Sequence, residues 1–176
     1  STSSNLESTL ESSFCSSVST DSSFSFDSSA SLGSLDSLGS SFDYFLVMNS
    51  DSIASKGTVE ALVQTAESDD LIGFVTGKVF YHSKPNTFQI IGKDFSSLNI
   101  IGESFGKDEI DRGQYDTVRE FYLIDDVFML IKSSVIERVR GYDPEFFLQY
   151  EEADLIMRAK KYGFKCFYTP NAKVWH

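Results

Sequence analysis

The tightest constraint on the fold is a short apolar run, Tyr44-Phe45-Leu46-Val47-Met48, that stops at Asn49-Ser50-Asp51-Ser52. Five apolar residues without polar alternation do not suit a sheet with one wet face. They suit a strand buried on both faces, with helices packed above and below it. The residues that follow are turn formers. Such a strand delivers them to the C-terminal edge of its sheet, where open α/β sheets bind ligands.

The surrounding pattern supplies the other layers. Residues 56–67 carry Val59, Leu62, Val63 and Ala66 at helical spacing. Residues 71–75 and 78–82 read as two strands, and 120–131 as mostly strand. Residues 92–116 are rich in Gly and Asp and read as a long, mobile loop. Ser133 or Ser134 is placed to cap a short helix through Val139. Residues 151–162 read as a helix with Leu155, Ile156 and Ala159 on its apolar side. Arg158, Lys160 and Lys161 come late in it, where the helix dipole favours cations, and Gly163 is placed to end it. Residues 165–168 read as a last strand, stopped before Pro170. The expected fold class is three-layer α/β/α with a mostly parallel sheet.

Composition narrows the function. The 176 residues suffice for one domain with a real core. A net charge of −11 leaves no basic footprint for nucleic acid. It also opposes charge-driven binding to anionic membranes. Cys15 and Cys166 make no disulfide framework. A reducing compartment is the easier reading, with a single bridge left open. No apolar run approaches the roughly 20 residues that span a bilayer. The first residues lack a signal peptide's basic and apolar regions. The expectation is a soluble, cytoplasmic protein.

Residues 1–42 stand apart from 43–176. Before Phe42 about half the residues are Ser, and no Lys, Arg or Pro occurs before Lys56. Such a segment has little apolar surface to offset its ordering entropy. Yet Leu6, Leu10 and Phe14 recur at four-residue spacing, which fits a helix stripe. Phe24 and Phe26 alternate with Ser, which fits a short strand ending at Asp27. Partial order and a disordered tail are both open here.

Four groups of residues have chemistry to offer. Asn49 and Asp51 follow the buried strand. Their oxygens suit a hard divalent cation that in turn holds phosphates, and an Asx-turn capping a helix fits them equally. Glu151 and Glu152 begin a helix, where the dipole stabilises negative charge. Either that complementarity is their whole role, or one of them serves as a general base. Glu151 lies one turn from Asp154, while Glu152 points toward the Leu155/Ile156 side. Phe146, Phe147 and Tyr150 are expected to wall this cluster. Asp125-Asp126 are adjacent carboxylates in a strand-like pattern, and a solvated edge is their commoner explanation. His176 is either a metal ligand or an ordinary surface residue. His82 has no evident role.

Taken in order, these motifs resemble a known family. The chain runs from an apolar strand into Asn49-Ser50-Asp51, then to Gly141-Tyr142-Asp143-Pro144-Glu145-Phe146-Phe147. Tyr150-Glu151-Glu152-Ala153-Asp154-Leu155 with Arg158, then Tyr162-Gly163-Phe164, then Pro170-Asn171-Ala172-Lys173-Val174-Trp175-His176 complete the order. This is similar to family-two inverting glycosyltransferases of the GT-A fold, in particular the bacterial rhamnosyltransferase-like group, most strongly over residues 43–176. The resemblance implies transfer of a sugar from a nucleotide-diphosphate donor to a saccharide or lipid-linked hydroxyl acceptor. It implies bacterial surface polysaccharide assembly, at the inner face of the membrane with peripheral association. It implies Mg²⁺ or Mn²⁺ held by Asp51 and His176. Asn49 would sit where many members have the first Asp of a metal motif. Glu152 would be the base and Glu151 its partner acid. Asp27 would match a nucleotide-binding position, with Ser28 where Asn is usual. Asp125-Asp126 replace a small Ser-Gly pair common in relatives. The alternative is a non-catalytic binding or scaffold protein that keeps the fold's acceptor half.

Overall fold

A computed structural model describes residues 13–18, 26–27, 42–96, 99–146 and 150–176. Eleven strands occur among these residues. They are β1 (Ser13–Val18), β2 (Phe26–Asp27), β3 (Tyr44–Asn49), β4 (Ile53–Ala54), β5 (Ile72–Tyr81), β6 (Lys84–Ile90), β7 (Gly92–Ser96), β8 (Asn99–Phe105), β9 (Arg119–Phe121), β10 (Phe128–Lys132) and β11 (Lys165–Trp175). Three helices accompany them, α1 (Thr58–Ala66), α2 (Ser133–Val139) and α3 (Glu151–Lys160). The main sheet has the order β2-β1-β3-β10-β5-β11-β4, with β6 added to β5 and β9 to β11.

The apolar run becomes the central strand β3, and its side chains divide between two cores. Phe45 and Val47 pack on one face with Val135, Ile136 and Val139 of α2 and Leu155, Ile156 and Ala159 of α3. Tyr44 and Leu46 pack on the other with Leu62 and Ala66 of α1. The same alternation splits Met129 and Ile131 from Phe128 and Leu130 in β10. Both faces are thus covered, as the unbroken hydrophobicity of β3 requires.

The fold class is the expected α/β one of GT-A type, and the strand directions carry a correction. β10 runs antiparallel to both β3 and β5. β3 and β5 therefore point the same way, and β11 lies parallel to β5. The sheet is mixed, with β5·β11 as the hydrogen-bonded parallel pair among the described residues. The reason is connectivity: β10 starts from a turn at the C-terminal edge of β3 and has to run back between its two neighbours. The C-terminal ends of β3, β5 and β11 share that edge.

Other expectations shift for local reasons. The two strands expected over 71–75 and 78–82 are one strand, β5 (Ile72–Tyr81), because Gly73 and Gly77 let neighbours close in rather than break it. Pro170 does not end β11; the pairing with β5 shifts register between Tyr168 and Lys173 and then resumes. Residues 92–116 are not a plain loop. β7 and β8 pair as a hairpin, and Asp94 fastens it by accepting from Arg119 Nη2 at 2.7 Å and Tyr122 N at 2.9 Å. Buried Lys78 then clasps the following segment, at 2.7 Å from Asp111 and 2.5 Å from Asp116. Burial works against its ammonium, and the two carboxylates outweigh that, leaving Lys78 above its ordinary pKa.

In the Ser-rich segment, Phe14 lies in a strand and not in a helix. β1 pairs antiparallel with β3 over Ser13↔Asn49 to Val18↔Tyr44. Ser has a weak helix preference because its side chain competes for backbone groups, and the edge of β3 offers a full ladder instead. Leu6, Leu10 and Phe24 lie outside the described residues, as does Phe147.

Gly77 gives a test of this architecture. A Cβ there would meet the Ala172 carbonyl oxygen at 2.4 Å and Ala172 Cβ at 2.6 Å. β11 cannot retreat without breaking its pairing with β5. Gly77→Ala should cost on the order of 1–3 kcal/mol, seen as a lower urea midpoint with an unchanged m-value. An unchanged midpoint would refute the close approach.

Candidate active site

Strand ends bring Asn49, Asp51 and His176 together. Asn49 is the last residue of β3, and Ser52 N–H donates to its carbonyl at 3.1 Å to close the turn that holds Asp51. His176 follows β11, and its backbone is fixed on both sides. Its N–H donates to Phe80 O at 2.9 Å, and its carbonyl accepts from His82 N–H at 2.8 Å. The imidazole Nε2 then lies 3.1 Å from Asn49 Nδ2 and 3.2 Å from Asp51 Oδ1. Nδ1 lies 3.0 Å from Gln89 Oε1. The His176 side chain is 17% exposed and that of Asp51 72%. One ligand-type group is held, and the other is free to swing from the solvent side.

A second constellation begins at the same edge. Asn49 N–H donates to Val127 O at 3.0 Å, so the turn that starts β10 adjoins the end of β3. Asp125 and Asp126 occupy the link between β9 and β10, outside any strand. The strand-like reading of 120–131 fails there because residues 122–127 turn back to start β10. Asp125 pairs with Lys93 of β7 at 2.7 Å. Tyr142 OH donates to Asp126 Oδ2 at 3.4 Å, a long contact.

Glu151 and Glu152 approach from the N-terminus of α3. Tyr150 precedes them in the left-handed region with φ 69°. That backbone costs a side-chain-bearing residue roughly 1–2 kcal/mol, and it turns the chain sharply into α3. Glu151 Oε2 is enclosed without a hydrogen-bond partner. Burial, then the charges of Glu152, Glu151 and Asp125, push Asp126 from 3.8 to about 7. Burial also raises Glu152, helped by the charges of Asp125 and Glu151 and opposed by Lys93. A raised carboxylate is a stronger base once ionised.

The remaining motif residues have structural work. Asp154 accepts from Arg158 Nε at 2.7 Å. Arg158 also donates to Val139 O at 2.6 Å and Gly141 O at 2.8 Å, tying α3 to the end of α2. The expected aromatic wall is not formed by Phe146 and Tyr150, which are exposed. Asp27 lies in β2 opposite Ser17 of β1, which is itself opposite Phe45. That is the start of β3, away from Asn49. Among the described residues no three His, Cys, Asp or Glu side chains converge as a metal cluster; Asp51 and His176 meet as a pair. Gln89, Lys93 and Tyr142 were not foreseen as contacts of these groups.

The family model described as Glycosyltransferase like family 2 matches residues 29–176. The chain belongs to that family. The match reaches into the Ser-rich segment, ahead of the expected start at 43. This glycosyltransferase-like chain is also similar in fold to the crystal structure of A197 from STIV. The TM-score is 0.51 at 15% identity, covering 81% of this chain and 62% of that one. The chain thus spans less than two thirds of that structure's length. No curated protein matches it significantly. Among the described residues no helix is long and apolar enough to cross a membrane.

The sign of the Asp126 shift makes a prediction. An unfolded carboxyl loses its proton near 3.8 and the folded one near 7. Between those values the native state binds more protons than the unfolded state, so stability falls as pH rises through 7 and is level above. Each pKa unit is worth about 1.4 kcal/mol, so the loss is a few kcal/mol. Asp126→Asn should therefore be stabilised relative to wild type at about pH 8 and much less at about pH 4.5. Denaturant unfolding at both pH values measures it, and equal effects at the two would contradict the shift.

Proposed function

We propose that this chain transfers a sugar from a nucleotide-diphosphate donor to a hydroxyl acceptor with inversion at the anomeric carbon. What carries the reading is the approach of Asp51 to His176 at the sheet edge where the carboxylate group of Asp125, Asp126, Glu151 and Glu152 begins. A diphosphate leaving group and an acceptor hydroxyl need a cation and a base within reach of one sugar ring. Membership of the glycosyltransferase-like family supports the same class of reaction.

Glu152 takes the proton of the acceptor hydroxyl. The freed oxygen bonds to the anomeric carbon from the face opposite the diphosphate, and that carbon's bond to the phosphate oxygen breaks with its electron pair. Glu151 keeps the local field negative, which holds Glu152 basic. Asp51 and His176 would hold Mg²⁺ or Mn²⁺, with the Asn49 amide beside them. The bound cation supplies charge neutralisation for the diphosphate. The residues fit that task in one respect: Asp51 Oδ1 and His176 Nε2, a carboxylate oxygen and an imidazole nitrogen, lie 3.2 Å apart with Asp51 open to solvent, so both would face one bound ion. A nucleotide role for Asp27 rests on the resemblance alone.

The finer assignment is a hexosyl- or rhamnosyltransferase in bacterial surface polysaccharide biosynthesis. It would act on a saccharide or lipid-linked acceptor at the cytoplasmic face of the membrane. These details rest on the order of motifs from Asn49-Ser50-Asp51 to Val174-Trp175-His176.

Two substitutions separate the roles. Asp51→Ala should remove Mn²⁺-dependent binding of uridine or thymidine diphosphate with the fold intact, measured by calorimetry with and without Mn²⁺. Unchanged metal-dependent affinity would sink the ligand assignment. Glu152→Gln keeps size and removes basicity, so turnover should fall by about 10²–10⁴ with donor affinity little changed. If Glu151→Gln is dead while Glu152→Gln turns over, the base is Glu151. Absence of any Mn²⁺-dependent nucleotide binding in wild type would instead favour a binding or scaffold protein that keeps the acceptor half.

A further inference from the structure

We infer that Gln89 is a positioning residue that fixes the tautomer of His176, and so decides whether Nε2 meets Asp51 with a lone pair or with a proton. This rests on the proposed metal role of Asp51 and His176. Two independent contacts agree on the tautomer. Gln89 presents its carbonyl oxygen to Nδ1 at 3.0 Å, and a carbonyl only accepts, so Nδ1 carries the proton. Asn49 presents its amide nitrogen to Nε2 at 3.1 Å, and an amide nitrogen only donates, so Nε2 carries the lone pair. Asp51 Oδ1 then faces that lone pair at 3.2 Å. Left to itself, the carboxylate would select the opposite tautomer by accepting from Nε2–H. Gln89 opposes that choice: with the proton held on Nδ1, the Nε2 lone pair accepts from Asn49, and a bound cation would take the place of that contact.

The fold supports this division of labour. Gln89 sits in β6 between Phe88 and Ile90, whose partners in β5 are Phe80 and Val79. Phe80 O also accepts from His176 N–H. The backbone of His176 and the strand bearing Gln89 are thus both registered on β5, which leaves ring orientation to the Gln89 contact. Outer partners of ligating histidines usually act in this way, and losing one costs roughly 10–100-fold in metal affinity.

The test reads the ring directly in the 176-residue chain, labelled with ¹⁵N at histidine. The His176 signals are assigned by their loss in His176→Gln. Without added metal, at a pH where the imidazole is neutral, wild type should show a protonated Nδ1 and an unprotonated Nε2. Gln89→Leu should move His176 toward the Nε2–H tautomer and weaken Mn²⁺ binding about 10–100-fold. Gln89→Glu keeps an acceptor and should restore the wild-type tautomer. It thereby separates loss of the contact from misfolding, with circular dichroism as a fold check. An Nε2–H tautomer in wild type, or a Gln89→Leu spectrum like that of wild type, overturns the inference. If the tautomer responds as stated but wild type binds no Mn²⁺, the role of Gln89 stands and the metal reading fails.

Discussion

Everything in this domain follows from a central sheet buried on both faces. β3 and β10 bury alternate residues in opposite cores, one under α1 and one under α2 and α3. A charge placed on either face would have to be desolvated, at several kcal/mol, without a partner. Charges without a partner are therefore kept to the rims. Because β3, β5 and β11 end at one rim, the residues just beyond them meet there although they are far apart in sequence. Asn49 and His176 are 127 positions apart and within hydrogen-bond reach.

The two groups at this rim are held by different means. His176 is placed by backbone: its N–H and carbonyl join the β5 strand end, so its ring position follows from the sheet. The carboxylates are placed against their own repulsion. Asp126 is pushed up to about 7 by burial and by Glu152, Glu151 and Asp125. A cluster so arranged persists when the surrounding framework is strong, and here that framework is explicit. Arg158 locks α3 to the end of α2. Lys93 reaches Asp125 while its backbone exchanges two hydrogen bonds with Leu123, at 2.9 and 3.0 Å. The hairpin that carries Lys93 is thereby part of the site's wall.

Much of this was legible in the chain because it rested on short-range pattern. The apolar run from Tyr44 to Met48 identified the central strand, and the helical spacing of Leu155, Ile156 and Ala159 identified the face of α3. Asn49, Asp51 and His176 were legible as candidates because strand ends are predictable places for ligands. What was hidden depended on pairings between distant strands. The antiparallel insertion of β10 between β3 and β5 leaves no local trace, since its residues look like those of any buried strand. Phe14 illustrates the same limit. Its spacing with Leu6 and Leu10 suggested a helix, but the free edge of β3 decided its conformation. Gln89 was missed because a polar residue between Phe88 and Ile90 reads as the wet side of a strand. Its meaning comes from the β5–β6 hairpin, which turns that side toward His176.

Lys78 shows how such distant pairings reach the rim. It is buried in β5, and Asp111 and Asp116 satisfy it from the segment after the β7–β8 hairpin. An unpaired ammonium there would be far too costly, so the two aspartates tie that segment to the sheet. The tie is reinforced where Phe88 N–H donates to Glu109 O at 2.9 Å, one residue before Gln89. Residues that read as a mobile loop thus brace β6, and β6 carries the amide that meets His176. The orientation of a ring at the end of the chain is in this way linked to a buried charge in the middle of the sheet.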